Sequence, residues 1–358
     1  MYKLKSTIKK ITPLNENAMK LARKRQDTLT KPRGSLGRLE ELSIQIAGIT
    51  RNAIPIIKEK RIITIAGDHG VVEEGVSTCP SKVTTQMIYN FINGSAGINV
   101  LSRHIGAKVI IVDMGAFSDI AHENLIVKKI KNGTNNIAKG PAMSREDAIY
   151  SIESGIEIFE EAYKNGLDIV GTGDMGIGNT TPSSAIVSAI IGAKVEEVTG
   201  RGTGLDDSGL KNKIEVIKTA LKINQPDKND GIDVLSKVGG FEIGGIAGVI
   251  IGAAAANVPV VIDGFISSAG ALIASKIAPL SINYMISAHN SVEIGHNAIM
   301  KHLGLKPILD LNMRLGEGTG AALGIGIVEA SVKLLGEMAT FDEANVTEGK
   351  IHKINNAS

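Results

Sequence analysis

Tryptophan is absent from this chain of 358 residues, and six phenylalanines and five tyrosines are its whole aromatic content. The bulk of its core must therefore come from Ile, Val, Leu and Ala, and a binding pocket is expected to be lined by Met, Leu and glycine backbone rather than by stacked rings. The single cysteine, Cys79, excludes an intrachain disulfide and a cysteine-rich zinc site, and fits a reducing, cytoplasmic setting. Neither charge dominates: 39 basic against 37 acidic side chains leave +2. No basic stripe with interleaved aromatics marks a nucleic-acid partner. The most apolar stretch, Ile243 to Val261, is broken by glycines and Pro259 and reads as a buried helix plus a strand, so no membrane partner is expected. The first residues, Met-Tyr-Lys-Leu-Lys-Ser, carry no apolar run of the signal-peptide kind.

Several motifs are missing too. Without Gly-x-x-x-x-Gly-Lys-Ser/Thr there is no triphosphate P-loop, and without Gly-x-Ser-x-Gly there is no nucleophile elbow for Ser287 or Ser291. No strand ends in paired acids followed by Thr-Gly-Gly-Thr, the diphosphate-and-magnesium loop of ordinary phosphoribosyltransferases. His289, His296 and His302 lie seven and six apart, which does not stack them on successive helical turns, so no metal site is expected, even with Asp68 and His69 nearby.

What is present is a regular alternation. β-Branched runs at Arg61–Ala66, Lys108–Asp113, Leu167–Val170, Pro259–Asp263 and Ile282–Ser287, with a weaker one at Ile308–Leu311, are separated by stretches long enough for helices. This spacing predicts an α/β fold: a Rossmann-like, mostly parallel sheet covered by helices. The 41 glycines suit tight strand-to-helix turns. Residues 14–50 read as helix, turn, helix around Lys31-Pro-Arg-Gly-Ser-Leu-Gly37, and residues from Gly320 to about Phe341 are again helical. The expected division is a small helical domain from residues 1–58 plus 325–358 and a large catalytic domain from 59–324, with a frayed tail from Asn345.

Each run ends in a polar, glycine-bearing turn, and ligands of open α/β sheets bind beyond the carboxyl ends of the strands. Six such turns therefore describe one site. Gly171-Thr-Gly-Asp-Met-Gly176 also has the spacing of a dinucleotide fingerprint, with Glu196 and Glu197 some twenty residues on. The loop continues through Gly178, Asn179, Thr180 and Thr181 to a helix opened by Pro182, an arrangement that suits a phosphate at a helix N-terminus. A second such loop is Thr199-Gly-Arg-Gly-Thr-Gly204, with Lys211 and Lys213 on the next helix. In Leu311-Asn-Met-Arg-Leu-Gly-Glu-Gly-Thr-Gly320, one carboxylate, Glu317, sits between two glycines after an apolar run. It has no apolar neighbour to pack with and is placed like a general base. Two rival readings remain: an NAD-dependent oxidoreductase, and a non-catalytic nucleotide-binding sensor that has no need of Glu317.

Together, Lys31–Gly37, Ala66-Gly-Asp-His-Gly-Val71, Gly173–Thr180, Ile262-Asp-Gly-Phe265, Ser287-Ala-His-Asn290 and Leu311–Gly320 resemble, in order and over residues 31–325, the nicotinate-nucleotide:5,6-dimethylbenzimidazole phosphoribosyltransferases of cobalamin synthesis. The resemblance implies a homodimer and a site at the strand carboxyl ends. It implies transfer of the phosphoribosyl group of nicotinate mononucleotide to dimethylbenzimidazole or a related base, with no cofactor and no metal. Glu317 is then the general base. Asp174 stands where the family pattern carries glutamate, about one methylene shorter, either stabilising developing positive charge or orienting the ribose hydroxyls. Phosphate and ribose contacts fall on Gly173, Gly176, Ile177, Gly178, Asn179 and Thr180, on Gly202 and Lys213, and on Asp263, Gly264, Asn290 and Ser291. Gln86, Met175, Leu315 and Gly316 border the base. A wall of Met, Leu and glycine backbone discriminates weakly between similar bases.

Overall fold

The computed structural model describes residues 2–348. Two compact units emerge: Met1–Pro13 with Ile57–Gly326, and Leu14–Ile56 with Ile327–Ser358. The N-terminal segment thus goes with the large unit, not with the small helical one expected to take residues 1–58. Its helix Tyr2–Ile8 buries Leu4 and Thr7, the Leu4 N–H donates to Glu153 Oε1 at 2.9 Å, and the Tyr284 hydroxyl donates to the Thr12 carbonyl at 2.8 Å.

The large unit is built on a six-stranded parallel sheet: β1 (Lys60–Gly67), β2 (Lys108–Gly115), β3 (Ile126–Val127), β4 (Ile169–Met175), β5 (Val260–Ile262) and β6 (Met285–Ser287). The order is β3-β2-β1-β4-β5-β6. Five of the runs found by β-branched composition become strands. The sixth strand is instead the two-residue β3, too short to leave a periodic signal. Ile308–Leu311 only brushes the sheet: Ile308 N–H donates to the Ser287 carbonyl and Leu309 N–H to that of Ala288, at 3.1 and 3.0 Å. The first half of Ile282–Ser287 is a 3₁₀ turn, Pro279–Tyr284.

Helices Arg145–Lys164 and Phe241–Ala255 pack together on the sheet. The first opens on a capping box in which Ser144 Oγ accepts the Asp147 N–H and the Asp147 carboxylate accepts the Ser144 N–H. The second is buried at every position from Phe241 to Ala254, so an all-round apolar sequence is the expected one. In the small unit, helices Glu16–Thr28 and Arg38–Thr50 close around Ala22, Ala47 and Leu335. By length and composition the helix Thr319–Glu337 could cross a membrane, yet 56% of its apolar window is buried in the protein, as in a core helix. The expected frayed tail runs from Gly349 outside the described residues; before it Thr340 caps a short helix, Phe341–Ala344.

The chain leaves β1 toward β2 and β3, and leaves β4 toward β5 and β6. β1 and β4 pair through Thr64 with Gly173, Ile65 with Asp174 and Ala66 with Met175. Where the winding reverses, the loops beyond two neighbouring strands part and a crevice opens at their carboxyl ends.

Candidate active site

The crevice is a cavity of about 620 Å³, and Glu317 and Asp174 both line it. Glu317 is 5% exposed and sits on three consecutive left-handed residues, with φ of +81° at Gly316, +64° at Glu317 and +96° at Gly318. For a side chain with a Cβ this conformation costs on the order of 1–3 kcal/mol and persists only where the surroundings over-determine it. They do. The Glu317 N–H donates to the Asp174 carbonyl at 3.1 Å, and its own carbonyl accepts the Thr64 hydroxyl at 2.8 Å. Asp263 Oδ2 accepts the Gly318 N–H at 3.2 Å and Oδ1 the Ala321 N–H at 2.9 Å, so Asp263 caps the helix Thr319–Glu337 from the end of β5. Gly173 allows the approach: a Cβ there would lie 2.3 Å from the Glu317 carbonyl oxygen.

The Glu317 carboxylate is held as firmly as its backbone. Its Oε2 accepts the Ile98 N–H at 3.1 Å, at the start of helix Gly97–His104. Burial lifts its proton affinity above the ordinary glutamate range, the Ile98 hydrogen bond opposes this, and the charge of Asp263 adds to it. A carboxylate so placed is a stronger base than one in water. Asp174, also 5% exposed, is lifted well above the usual carboxylate range by burial and by the charges of Asp263 and Glu242. Asn179 Nδ2 donates to its Oδ2 at 3.0 Å, while Oδ1 is buried without a hydrogen bond.

Another part of the lining is suited to an anion. The N-terminus of helix Thr180–Ile191 opens onto the cavity through Gly176–Thr180, and such an end carries partial positive charge. Gly202 and Thr203 contribute the second loop. Behind both lies Lys213, fully buried, its ammonium donating to Thr180 Oγ1 at 2.7 Å and to the Gly200 carbonyl at 3.2 Å. Burial pulls this ammonium down to about 8, with Glu293 pushing the other way. An incoming phosphate would restore full charge.

Of the residues expected at the site, Asp174, Met175, Gly176, Ile177, Gly178, Asn179 and Thr180 line the cavity, as do Gly202, Gly264, Ser291, Leu315, Gly316 and Glu317. Five stand elsewhere. Gln86 is exposed and Met87, one helical step on, lines the cavity in its place, because neighbouring helix positions point about 100° apart. Asp263 and Gly173 act on the Glu317 turn from behind, as described above. Asn290 faces Asp310 at 3.5 Å and gives its N–H to Leu309. Lys213 reaches the cavity only through Thr180. Asn179 takes the N-cap position of its helix without capping it, its amide being turned to Asp174.

The dinucleotide reading fails locally: Gly171 and Gly173 lie inside β4 and not in a turn, and Glu196 pairs with Lys218 on the surface at 2.7 Å. Sequence reasoning missed Val76, Ser77, Met87, Thr203, Ile266, Glu293 and Arg314 on the wall. Of these Glu293 has an unpartnered buried Oε2, and Arg314, inside the motif that flagged Glu317, donates to the Gly202 carbonyl at 3.3 Å. His289 also lines the cavity and stacks on His296 at 6.3 Å, a proximity that helical spacing rules cannot detect. Among the described residues no group of three His, Cys, Asp or Glu side chains is arranged to hold a metal ion.

A family model described as phosphoribosyltransferase matches residues 11–346 of the chain. A relative from Desulforudis audaxviator, named nicotinate-nucleotide–dimethylbenzimidazole phosphoribosyltransferase, is 56% identical over 348 residues, covering 97% of this chain and 99% of its own length. The Geobacter sulfurreducens protein of that name is 53% identical over 350 residues, covering 98% and 99%. A crystal structure of the Thermus thermophilus enzyme of the same name superimposes with a TM-score of 0.89 at 38% identity, over 94% of this chain and 100% of that one.

Proposed function

Because the chain belongs to the nicotinate-nucleotide–dimethylbenzimidazole phosphoribosyltransferase family, we propose that its cavity transfers the phosphoribosyl group of nicotinate mononucleotide to 5,6-dimethylbenzimidazole or a related base. Nicotinate and the α-ribazole 5′-phosphate of cobalamin synthesis are the products. The observation that carries this reading is a buried carboxylate, Glu317, fixed in a left-handed turn in a cavity that also takes in the N-terminal end of the helix Thr180–Ile191. The NAD-dependent alternative loses its support, since two of the three fingerprint glycines, Gly171 and Gly173, are strand residues.

The chemistry divides along the cavity. The phosphate lodges at Gly176, Gly178, Asn179, Thr180 and Gly202, with Lys213 behind them. A benzimidazole ring nitrogen attacks C1′ of the ribose, and the C1′–pyridinium bond breaks with its electron pair going to the pyridine nitrogen. Nicotinate departs as a neutral ring, so the leaving group needs no proton. The other benzimidazole ring nitrogen gives its proton to Glu317, and attack from the face opposite the leaving group inverts β to α. Proton removal contributes about 10²–10⁴-fold. Holding two reactants in line contributes more, with effective molarities of about 10⁵ M or above. Asp174, beside the reacting centre, stabilises positive charge developing on the ribose or orients its hydroxyls.

The cavity wall carries the apolar side chains Val76, Met87, Met175 and Leu315; a base resting on them is selected for flatness more than for particular methyl groups. A homodimer in the cytoplasm is part of this proposal, consistent with the family resemblance and the single Cys79. Mass spectrometry of reactions containing nicotinate mononucleotide and a panel of free bases tests it. Nicotinate released only when a benzimidazole is present, together with a riboside phosphate of that base, supports the transfer; nicotinate released without any base, or none at all, overturns it.

A further inference from the structure

The Ala66–Val71 motif does not line the cavity, yet its polar side chains are packed directly behind the wall. Asp68, His69 and Glu242 are each exposed by 1% or less. His69 Nε2 lies 2.8 Å from Glu242 Oε1, and Asp68 Oδ2 accepts the Phe117 N–H at 2.8 Å. Burial opposes charge on the imidazole, but Glu242 and Asp68 outweigh it and hold His69 above the ordinary histidine range. A buried ion pair contributes little net stability compared with apolar packing, so its location is the informative property.

Two contacts join this cluster to the nucleotide turn. A Cβ on Gly176 would lie 2.2 Å from the Gly67 carbonyl oxygen and 3.3 Å from His69 Nε2, so the strand end and the imidazole fill the space beside Gly176 that a side chain would need. Next to it, the Ile177 N–H donates to Thr84 Oγ1 at 3.1 Å, and the Thr84 hydroxyl stands close enough to the Asp68 carboxylate to oppose the rise in its proton affinity. The Ile177 amide is therefore committed to Thr84 and is not available to a phosphate. Thr84 is fully buried, on the helix that carries Met87 to the cavity one turn later.

We propose that Asp68, His69, Glu242 and Thr84 are positioning residues for the nucleotide half of the site, with Thr84 the joint through which the buried cluster sets the backbone of Met175–Gly178. This inference rests on the transfer reaction proposed above. A turn lacking that support must be ordered as the nucleoside monophosphate binds, and the entropy lost then weakens nucleotide binding more than it slows the subsequent chemistry.

The test is Thr84→Val, which keeps the side-chain shape and removes the hydrogen bond to Ile177 and the polar approach to Asp68, assayed beside the wild type with nicotinate mononucleotide and dimethylbenzimidazole. A wild type that releases no nicotinate overturns the transfer reading itself, and with it the network's role. In an active background, KM for the nucleotide should rise on the order of tenfold. Turnover and KM for the benzimidazole should hold, and Thr84→Ser should restore the nucleotide KM. Should Thr84→Val fail to fold, His69→Gln replaces it; that side chain keeps a donor for Glu242 but loses the ring against Gly176, and the same rise is expected. An unchanged nucleotide KM in whichever variant folds, or parallel loss in turnover and both KM values without rescue by serine, overturns the proposal.

Discussion

The two walls of the cavity are built on opposite electrostatic plans. On one, Glu317 and Asp174 face the interior with Asp263 behind them; burial lifts all three above the normal carboxylate range, and the charges of neighbouring carboxylates add to it at Asp174 and Glu317. On the other, a helix end, two glycine loops and Lys213 wait for negative charge, and burial holds the lysine down to about 8. Burial therefore shifts the groups on each wall toward their neutral forms, in the direction that a ligand of opposite charge corrects. A nucleotide with a cationic ring at one end and a phosphate at the other satisfies both at once, which neither wall could do alone.

The largest break in this comparison is Glu317→Gln. Turnover should fall by about 10²–10⁴-fold with nucleotide affinity kept, and near-normal rates would remove Glu317 as the base. In the wild type, turnover should decline with falling pH before the ordinary glutamate range is reached, because Glu317 must shed a proton that burial favours. Asp263→Asn comes next. It sets an amide N–H against the Gly318 or Ala321 N–H and should cost about ten- to a hundredfold in turnover with little change in nucleotide KM; a KM effect alone would put Asp263 on the nucleotide instead. Lys213→Ala tests the other wall, with KM for the nucleotide rising on the order of tenfold or more and turnover falling less. Unchanged nucleotide affinity would move the phosphate elsewhere.

The smallest effect concerns stability. The folded-state proton affinity of Asp174 lies above its unfolded value, so the folded chain binds more protons and the residue's contribution to stability falls as pH rises through the raised range. Asp174→Asn should therefore raise the melting temperature by roughly 1–3 °C at neutral pH and by less in acid. A gain independent of pH would mean that Asp174 is not protonated in the folded protein.

The same contrast explains what can be read from the sequence. The strand-end turns are legible because β-branched runs stop abruptly at glycine and polar residues, and Glu317 stands out as a lone acid in such a turn. The glycines around it suggest room for a ligand; their work is to hold a left-handed backbone. Glycine elsewhere suggests turn chemistry, yet Gly155 and Gly248 lie where two helices meet, and a Cβ on Gly155 would be 2.0 Å from the Gly245 carbonyl oxygen. Asp263 looks like a ligand residue because it ends a strand, and which way such a side chain turns is decided by the helix that needs a cap. Glu293, Ser77 and Arg314 carry no periodic signal, since their roles depend on contacts between distant segments. Gln86 is one helical step from the residue that lines the cavity, an error that no spacing rule corrects without knowing the face.

The hydroxyl of Thr64 holds the Glu317 carbonyl across 253 residues of chain. Most of the polypeptide must leave the ribosome before this clasp can close, and a chain made as far as Ser287, with all six strands present, would still lack the base. Competence therefore arrives late and all together, so a chain shortened before residue 317 should be inert toward the second substrate however well the rest of it folds.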